Sequence, residues 1–233
     1  MITGTKENEK SKTIKYVVNV NNYVESPEAW IDFNGTSYIE CNSIDQKNLV
    51  KGFTIATKVK INQAEQTGIN WMGLWGRHIN STEGIQLQFH DNTTTLGGQT
   101  ATSNYVPYYD KWVDIVRTFE VEDGNTGTLK LYFDGELKQT FQSRTIPPCD
   151  KFYIGNSIDL EKYDRRTKGE MSCLKIWTKA LSEEEINSLD LFKDAVNIQP
   201  EYFLYQNIML KSQAEVDKIG TFVGTGHEFK QRK

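Results

Sequence analysis

Gly127-Thr128-Leu129-Lys130-Leu131-Tyr132-Phe133-Asp134-Gly135-Glu136-Leu137-Lys138-Gln139-Thr140-Phe141 decides the fold. Apolar and polar residues alternate on both sides of Asp134-Gly135, the period of a half-buried strand, and an Asp-Gly pair is a hairpin turn signal. A two-residue turn would set Phe133 opposite Glu136 and Leu131 opposite Lys138, mixing core and solvent on one face. A three-residue loop, Phe133-Asp134-Gly135, pairs Leu131 with Leu137 and keeps Leu129 and Phe141 on their side. The sequence therefore predicts a bulged hairpin with Gly135 at positive φ.

Outward from this hairpin the chain reads as further short strands. Residues 13–23 are rich in β-branched and aromatic side chains and predict an early strand. After Pro27, residues 29–33 run into the turn pair Asn34-Gly35, and 38–41 resume the extended pattern. More strands are predicted at 53–61, 69–75, 85–90, 112–121, 152–154 and 171–177, most of them separated by Gly, Asn, Asp or Pro. No crossover helices lie between them, so the fold class is all-β, a two-sheet antiparallel β-sandwich. One short helix is predicted at 182–192. Ser182 caps it, Glu185 reaches back from three residues on, and Leu181 staples to Ile186. Beyond Asp194 the character changes, and extra strands, a docking arm or part of a subunit interface all fit. The expected division is an N-terminal extension over 1–27, a sandwich over 28–193 and a C-terminal extension over 194–233.

Bulk properties exclude several function classes. The 233 residues carry 27 basic and 31 acidic side chains, leaving no positive surplus for a polyphosphate backbone, so nucleic acid is not an expected partner. No apolar run reaches the length of a membrane span, and residues 1–13 carry charges where a signal peptide has its apolar stretch. Neither a membrane partner nor export by the general route is expected. Cys41, Cys149 and Cys173 are odd in number and lack metal-type spacing, so they read as buried or neutral thiols, with one disulfide pair left open.

Four segments carry a resemblance to the laminin-G-like, concanavalin A-like lectin family of jelly-roll sandwiches. They are Ala29 to Ile39; Trp112 to Val116 with Gly127 to Leu137; Phe152-Tyr153-Ile154-Gly155-Asn156; and Gly169 to Trp177 with Ala180-Leu181-Ser182 and Glu185-Ile186. The first is similar to the family's opening Phe-Asp-Gly hairpin, and the last to its closing strand and following helix. The resemblance spans roughly residues 28–190, in order. It implies a module that binds at its surface, and in many members a calcium ion held by loop oxygens. Asn34, Asp91 and Asn92 would supply such oxygens here. However, Asn34 stands where Asp is usual, and Ser172-Cys173 stand where an Asp-Glu pair often does. The expectation is accordingly no metal and no other cofactor.

Catalysis finds little support in the residues. A glycoside hydrolase needs two carboxylates flanking the scissile bond, and no Glu-x-Asp-x-x-Glu arrangement occurs. Glu120 and Glu122 lead into a turn and read as solvated. His78, His90 and His227 share no short spacing that would mark a triad. Sugar binding asks for less: an aromatic face and a few polar groups that fix orientation. Asn104-Tyr105-Val106-Pro107-Tyr108-Tyr109-Asp110 is a loop of that kind, which makes Tyr105, Tyr108 and Tyr109 candidate ligand residues beside Arg77, Arg165 and Arg166. For Tyr108 and Tyr109 the competing reading is that one caps the sandwich while the other is exposed. Trp71 and Trp75 fall on one strand face; a binding platform is one reading of the pair, and packing into the core is the expected one. Asn34-Gly35-Thr36, Asn80-Ser81-Thr82 and Asn92-Thr93-Thr94 match the glycosylation pattern, which acts only on secreted chains.

The functional expectation is a non-catalytic binding module. An extracellular type of domain without an export signal suits a bacteriophage virion appendage or decoration protein, assembled in the cytoplasm and released by lysis. It would sit on the virion or an extracellular surface and attach to surface glycans or neighbouring virion subunits, with oligomers possible through the terminal extensions. The rivals are a carbohydrate-binding module of a larger secreted bacterial protein, a purely architectural virion subunit, and a glycoside hydrolase of the same fold.

Overall fold

A computed structural model describes residues 27–42, 44, 46–66, 71–77, 85–90, 95–97, 102–147, 151–157, 165–191, 198–202 and 208–232. The early strand predicted at 13–23 lies outside the described residues. The deciding hairpin is formed by β9 (Thr126–Phe133) and β10 (Glu136–Thr145). Its turn has two residues, with Asp134 at φ 49° and Gly135 at φ 80°, both positive as the tight hairpin turn requires. Phe133 therefore faces Glu136, the pairing that the face argument had rejected, and the predicted three-residue loop is corrected. Two features explain this. β10 is the outermost strand of its sheet and has little core to serve, and Leu137 is 40% exposed. Asp134 is also tied to Asp114 of β8 (Trp112–Asp123): its N–H donates to the Asp114 carbonyl at 2.8 Å, and its Oδ1 accepts from the Asp114 N–H at 2.9 Å. The bulge exists but falls at Lys138, after which Gln139 faces Leu131 and Phe141 faces Leu129, the last as the apolar pattern requires.

The remaining strands are β1 (Ala29–Asn34), β2 (Ser37–Cys41), β3 (Phe53–Lys60), β4 (Met72–Gly76), β5 (Gln86–His90), β6 (Thr95–Gly97), β7 (Thr102–Asn104), β11 (Phe152–Ile154), β12 (Lys168–Trp177), β13 (Ile208–Met209), β14 (Gly220–Gly224) and β15 (Glu228–Gln231). The first sheet runs β10-β9-β8-β3-β12-β1-β15, with β13 also pairing β12; the second runs β14-β2-β11-β4-β5-β6-β7. Every pairing is antiparallel. This is the expected two-sheet jelly-roll sandwich. The opening motif is not a hairpin, because β1 and β2 belong to different sheets. Asn34-Gly35 is a corner between them: Gly35 sits at φ 84°, and Asn34 Oδ1 accepts from the Thr36 N–H (3.0 Å) and hydroxyl (2.6 Å).

Inward residues of both sheets make one core, including Ile31, Phe33, Ile39, Ile55, Leu87, Phe89, Ile115, Phe119 and Leu131. Within it Trp75 stacks on Phe152 of the neighbouring strand β11, ring centroids 6.1 Å apart. Arg117 shares the inward parity of Val113, Ile115 and Phe119 and is buried, its guanidinium donating to the Gln86 carbonyl of the opposite sheet. Cys41 and Cys173 are buried free thiols, and burial pushes both up in pKa; Cys149 lies outside the described residues.

The outer face of the first sheet carries a second apolar cluster of Ala56, Val116, Tyr132, Cys173 and Trp177, closed by Leu181, Ile186 and Leu191. Ile186 arrives on α1 (Glu183–Asn187), whose N-terminus has the predicted capping box: Ser182 Oγ accepts from the Glu185 N–H at 3.2 Å, and Glu185 Oε2 accepts from the Ser182 N–H at 2.8 Å. The helix is shorter than predicted. It stops where Ser188 turns its hydroxyl back onto the Glu184 carbonyl at 2.9 Å.

Residues 208–232, placed beyond the sandwich by the expected boundary at 193, add strands to both sheets. β14 pairs with β2 and β15 with β1, so the chain end clasps one edge of the sandwich. Between these strands His227 lies flat on Phe222, ring centroids 3.6 Å apart, with Phe229 edge-on. Burial lowers the His227 pKa.

Two expectations follow. Ser182→Ala removes the cap and should cost about 1 kcal/mol, read as a lower urea midpoint at unchanged slope. His227 is neutral in the fold, so its contribution is fully present above its unfolded pKa near 6.5 and is lost as pH falls through the lower folded value. The stability lost by the native chain between about pH 7.5 and 5 should thus exceed that lost by His227→Phe in urea titrations, and equal losses would exclude this role.

Candidate functional site

Gln86, Gln88 and His90 alternate along β5 with the core residues Leu87 and Phe89, and so project from the outer face of the second sheet. All three are nonetheless buried. They are covered by the chain that leaves β11 and the chain that enters β12. Gly155, at φ 80°, turns the first of these segments while its N–H continues the ladder to the Leu74 carbonyl at 2.8 Å. Ser157 then rests on Gly73, where a Cβ would stand 2.2 Å from the Ser157 Oγ. The second segment is fixed to the same glycine: the Gly73 N–H donates to the Arg165 carbonyl at 2.7 Å, and the Thr167 hydroxyl donates to the Gly73 carbonyl at 2.5 Å. Gly73 is therefore a seat that no larger residue can provide.

Gln88 and His90 belong to one network. Gln88 Oε1 accepts from the Ser157 hydroxyl at 3.0 Å and from Arg165 Nη1 at 2.8 Å. A guanidinium only donates, so this contact fixes the amide orientation and turns the Gln88 NH2 toward His90 Nε2, 3.4 Å away. His90 Nε2 is then the acceptor, and the ring carries its proton on Nδ1. Above the network stands Trp71, 37% exposed, with the Arg165 guanidinium 4.9 Å from its ring centroid and the His90 ring 4.6 Å away, edge-on. An accessible indole held between a guanidinium and an imidazole offers an apolar face with hydrogen-bond donors at its rim, the combination that fixes a hydroxylated ring.

The predicted site residues separate. Arg165 is in this patch. Arg77 lies at the end of β4, its N–H donating to the Ile85 carbonyl at 2.6 Å. Arg166 instead donates from Nη1 to the Thr36 carbonyl at 2.8 Å, bracing the β1–β2 corner. Tyr105, expected at a ligand surface, is a core residue: it is fully buried against Phe89 and Phe133, and burial raises its pKa well above the ordinary value. Tyr108 and Tyr109 are both half-buried against the core, so both cap the sandwich and neither is the exposed partner of the competing reading. Tyr109 stacks on Phe89, and Tyr108 leans on Phe133 with Lys111 and Lys138 ammonium groups 5.0 and 5.4 Å from its ring centroid. Of the calcium candidates, Asn34 spends its Oδ1 on Thr36, and Asp91 and Asn92 lie outside the described residues. Among the described residues no three His, Cys, Asp or Glu side chains gather to hold a metal.

Trp71, expected in the core with Trp75, is instead exposed. Counted by twos it shares a face with Trp75, but a bulge between Gly73 and Trp75 reverses the parity: Gly73 faces Gln88, whereas Trp75 faces Leu87. Trp75 accordingly enters the core and Trp71 leaves it. The strict alternation Gln86-Leu87-Gln88-Phe89-His90 was visible in the sequence and marked the polar face.

Comparison with solved structures finds the same fold. A candidate carbohydrate-binding protein of Bacteroides ovatus superposes with a TM-score of 0.58 at 16% identity, over 89% of this chain and 60% of that one. This chain therefore spans 60% of the length of that protein. A heptameric SAP-like pentraxin of Limulus polyphemus gives 0.54 at 13% identity, over 88% of this chain and 95% of that one. The Trypanosoma rangeli sialidase gives 0.50 at 14%, over 71% and 27%. At these identities the likeness establishes fold alone. No curated protein sequence matches the chain. The family model Laminin_G_3, described as the concanavalin A-like lectin/glucanases superfamily, matches residues 33–187, more than half of the sequence. On that match, and on the two-sheet architecture it implies, the chain belongs to the Laminin_G_3 family of concanavalin A-like sandwiches.

Proposed function

We propose that the chain is a glycan-binding module that holds a sugar ring on Trp71 of the second sheet's outer face. The exposed indole, gripped by Arg165 and His90 over a buried polar network, carries this reading. The lectin-type family and the carbohydrate-binding description of the Bacteroides ovatus protein support it. Arg165 orients the ligand through its guanidinium, which lies against the Trp71 ring. Gln88, Ser157 and His90 do not touch ligand; they hold Arg165 and the indole in place. We propose binding without turnover, because the Gln88 amide and His90 Nε2 are engaged with each other. For the setting we propose the surface of a phage particle, which mass spectrometry of purified particles decides.

A second location has its own observation in favour: Tyr108, half-buried, with two ammonium groups around its ring. Glycan-array binding by Trp71→Ala, Arg165→Ala and Tyr108→Ala separates the two. Loss of a central Trp or Arg anchor costs about 2 kcal/mol, roughly thirtyfold in affinity, so Trp71→Ala and Arg165→Ala should fall to background while Tyr108→Ala binds normally. The reverse pattern would move the site to the tyrosine loop, and no binding by the native chain to any glycan would end the reading. Gly73→Ala should weaken binding as well, by displacing Ser157, while near-ultraviolet circular dichroism reports an intact core. Release of reducing sugar from a bound glycan would overturn the non-catalytic part.

A further inference from the structure

The outer face of the first sheet is not closed everywhere by its apolar cluster. Thr118 and Glu120 project from β8 and Lys130 from β9, with Lys130 directly opposite Thr118. The connection from β12 to α1 passes beside them, pinned by Thr54, whose hydroxyl donates to the Lys179 carbonyl and accepts from the Leu181 N–H, each at 2.8 Å. Between strands and connection lies a cleft of about 400 Å³ that presents Thr118, Glu120, Lys130, Lys179, Glu183 and Glu185. That volume is in the range of small-molecule sites.

Its charges fall into two groups. Glu185 is committed to the helix cap, to Gln199 and to Lys179 at 4.0 Å, and these contacts hold its carboxyl below the ordinary pKa. Glu120, Glu183 and Lys130 have no ion-pair or hydrogen-bond partner among the described residues. Glu120 and Glu183 line the same cleft, and after burial itself these two carboxylates raise the pKa of Tyr132.

We propose that this cleft binds a small zwitterion of the amino-acid or short-peptide class, its ammonium between Glu120 and Glu183 and its carboxylate on Lys130 and the Thr118 hydroxyl. An ammonium has three donors and no acceptor, and it takes two carboxylates. A carboxylate only accepts, and Lys130 and Thr118 donate. With three carboxylates to two ammonium groups the cleft repels an anion. Among the described residues no aromatic ring lines it, so they give a neutral sugar nothing to stack on. The site lies on the opposite sheet from Trp71 and does not depend on glycan binding.

Calorimetric titration of the full chain at low ionic strength with L-alanyl-L-alanine tests this, with N-acetyl-L-alanyl-L-alanine amide as the charge-free control. The zwitterion should bind saturably at millimolar or tighter affinity and the blocked peptide should not. Lys130→Gln and Glu183→Gln should each weaken binding by about tenfold or more, the worth of one charge-assisted hydrogen bond, while Trp71→Ala leaves it unchanged. No saturable binding, equal binding of the blocked peptide, or undiminished binding by both charge variants would overturn the assignment.

Discussion

Three side chains of β5 that a sheet normally gives to water, Gln86, Gln88 and His90, are out of it, and that condition organises the second sheet's outer face. A buried polar group left without a partner costs about 1–3 kcal/mol, so a polar strand face can be covered only by a segment that brings donors and acceptors with it. Residues 155–157 and 165–167 do this for Gln88, and they lie flat enough because Gly73 has no side chain. Arg165 is thereby held from both ends, by its carbonyl on Gly73 and its guanidinium on Gln88, and it can only come to rest over Trp71. The ligand patch is a consequence of how the sheet keeps the Gln88 amide satisfied.

The two outer faces solve the covering problem differently. On the first sheet the cover is apolar: Leu181, Ile186 and Leu191 close over Trp177, Tyr132 and Val116, and the charges admitted beside them include Lys58, paired with the half-buried Asp114 at 2.5 Å, and Lys175, which donates to the Asp190 carbonyl at 3.2 Å. Hydrophobic closure is non-directional, so the cover needs only the right side chains at roughly the right spacing. On the second sheet the cover is polar, and polar contacts fix angles as well as distances. A binding surface that must present one indole in one orientation gains from the second kind of cover. The edges differ too. β14 and β15 close one side, while β10 on the other carries two register shifts and charged side chains, which discourage pairing with another chain.

The architecture was legible where the signal is local. The alternation through β9, the capping box at Ser182 and Glu185, and the punctuated strand lengths each depend on residues within a few positions of one another. The two-residue turn was misread because face alternation was applied to β10 as though it were a central strand, when its place at the edge frees it from that rule. Extra strands were only one of three readings of the tail, because β14 and β15 are short and their partners β2 and β1 lie nearly the whole chain away, so nothing nearby announces them. The site was half legible. Arg165 stood out as a charge in a loop, whereas the same criterion picked Arg166, which serves a corner, and aromatic content picked Tyr105, which serves the core.

Trp71 shows why the remainder resists a sequence reading. Its position depends on one bulged residue, Leu74, and a bulge leaves no compositional mark in a strand that contains two glycines. The core supplies the reason for it. Trp75 already fills the space beside Phe152, while Tyr105 and Phe133 pack against one another close by Phe89. A second indole on that inner face would overpack it, at about 1–3 kcal/mol or more. Shifting the strand by one residue lets Met72, Leu74 and Trp75 all enter the core and delivers Trp71 to the outer face opposite His90. The volume limit of the interior and the exposure of the proposed ligand platform are therefore met by the same irregularity.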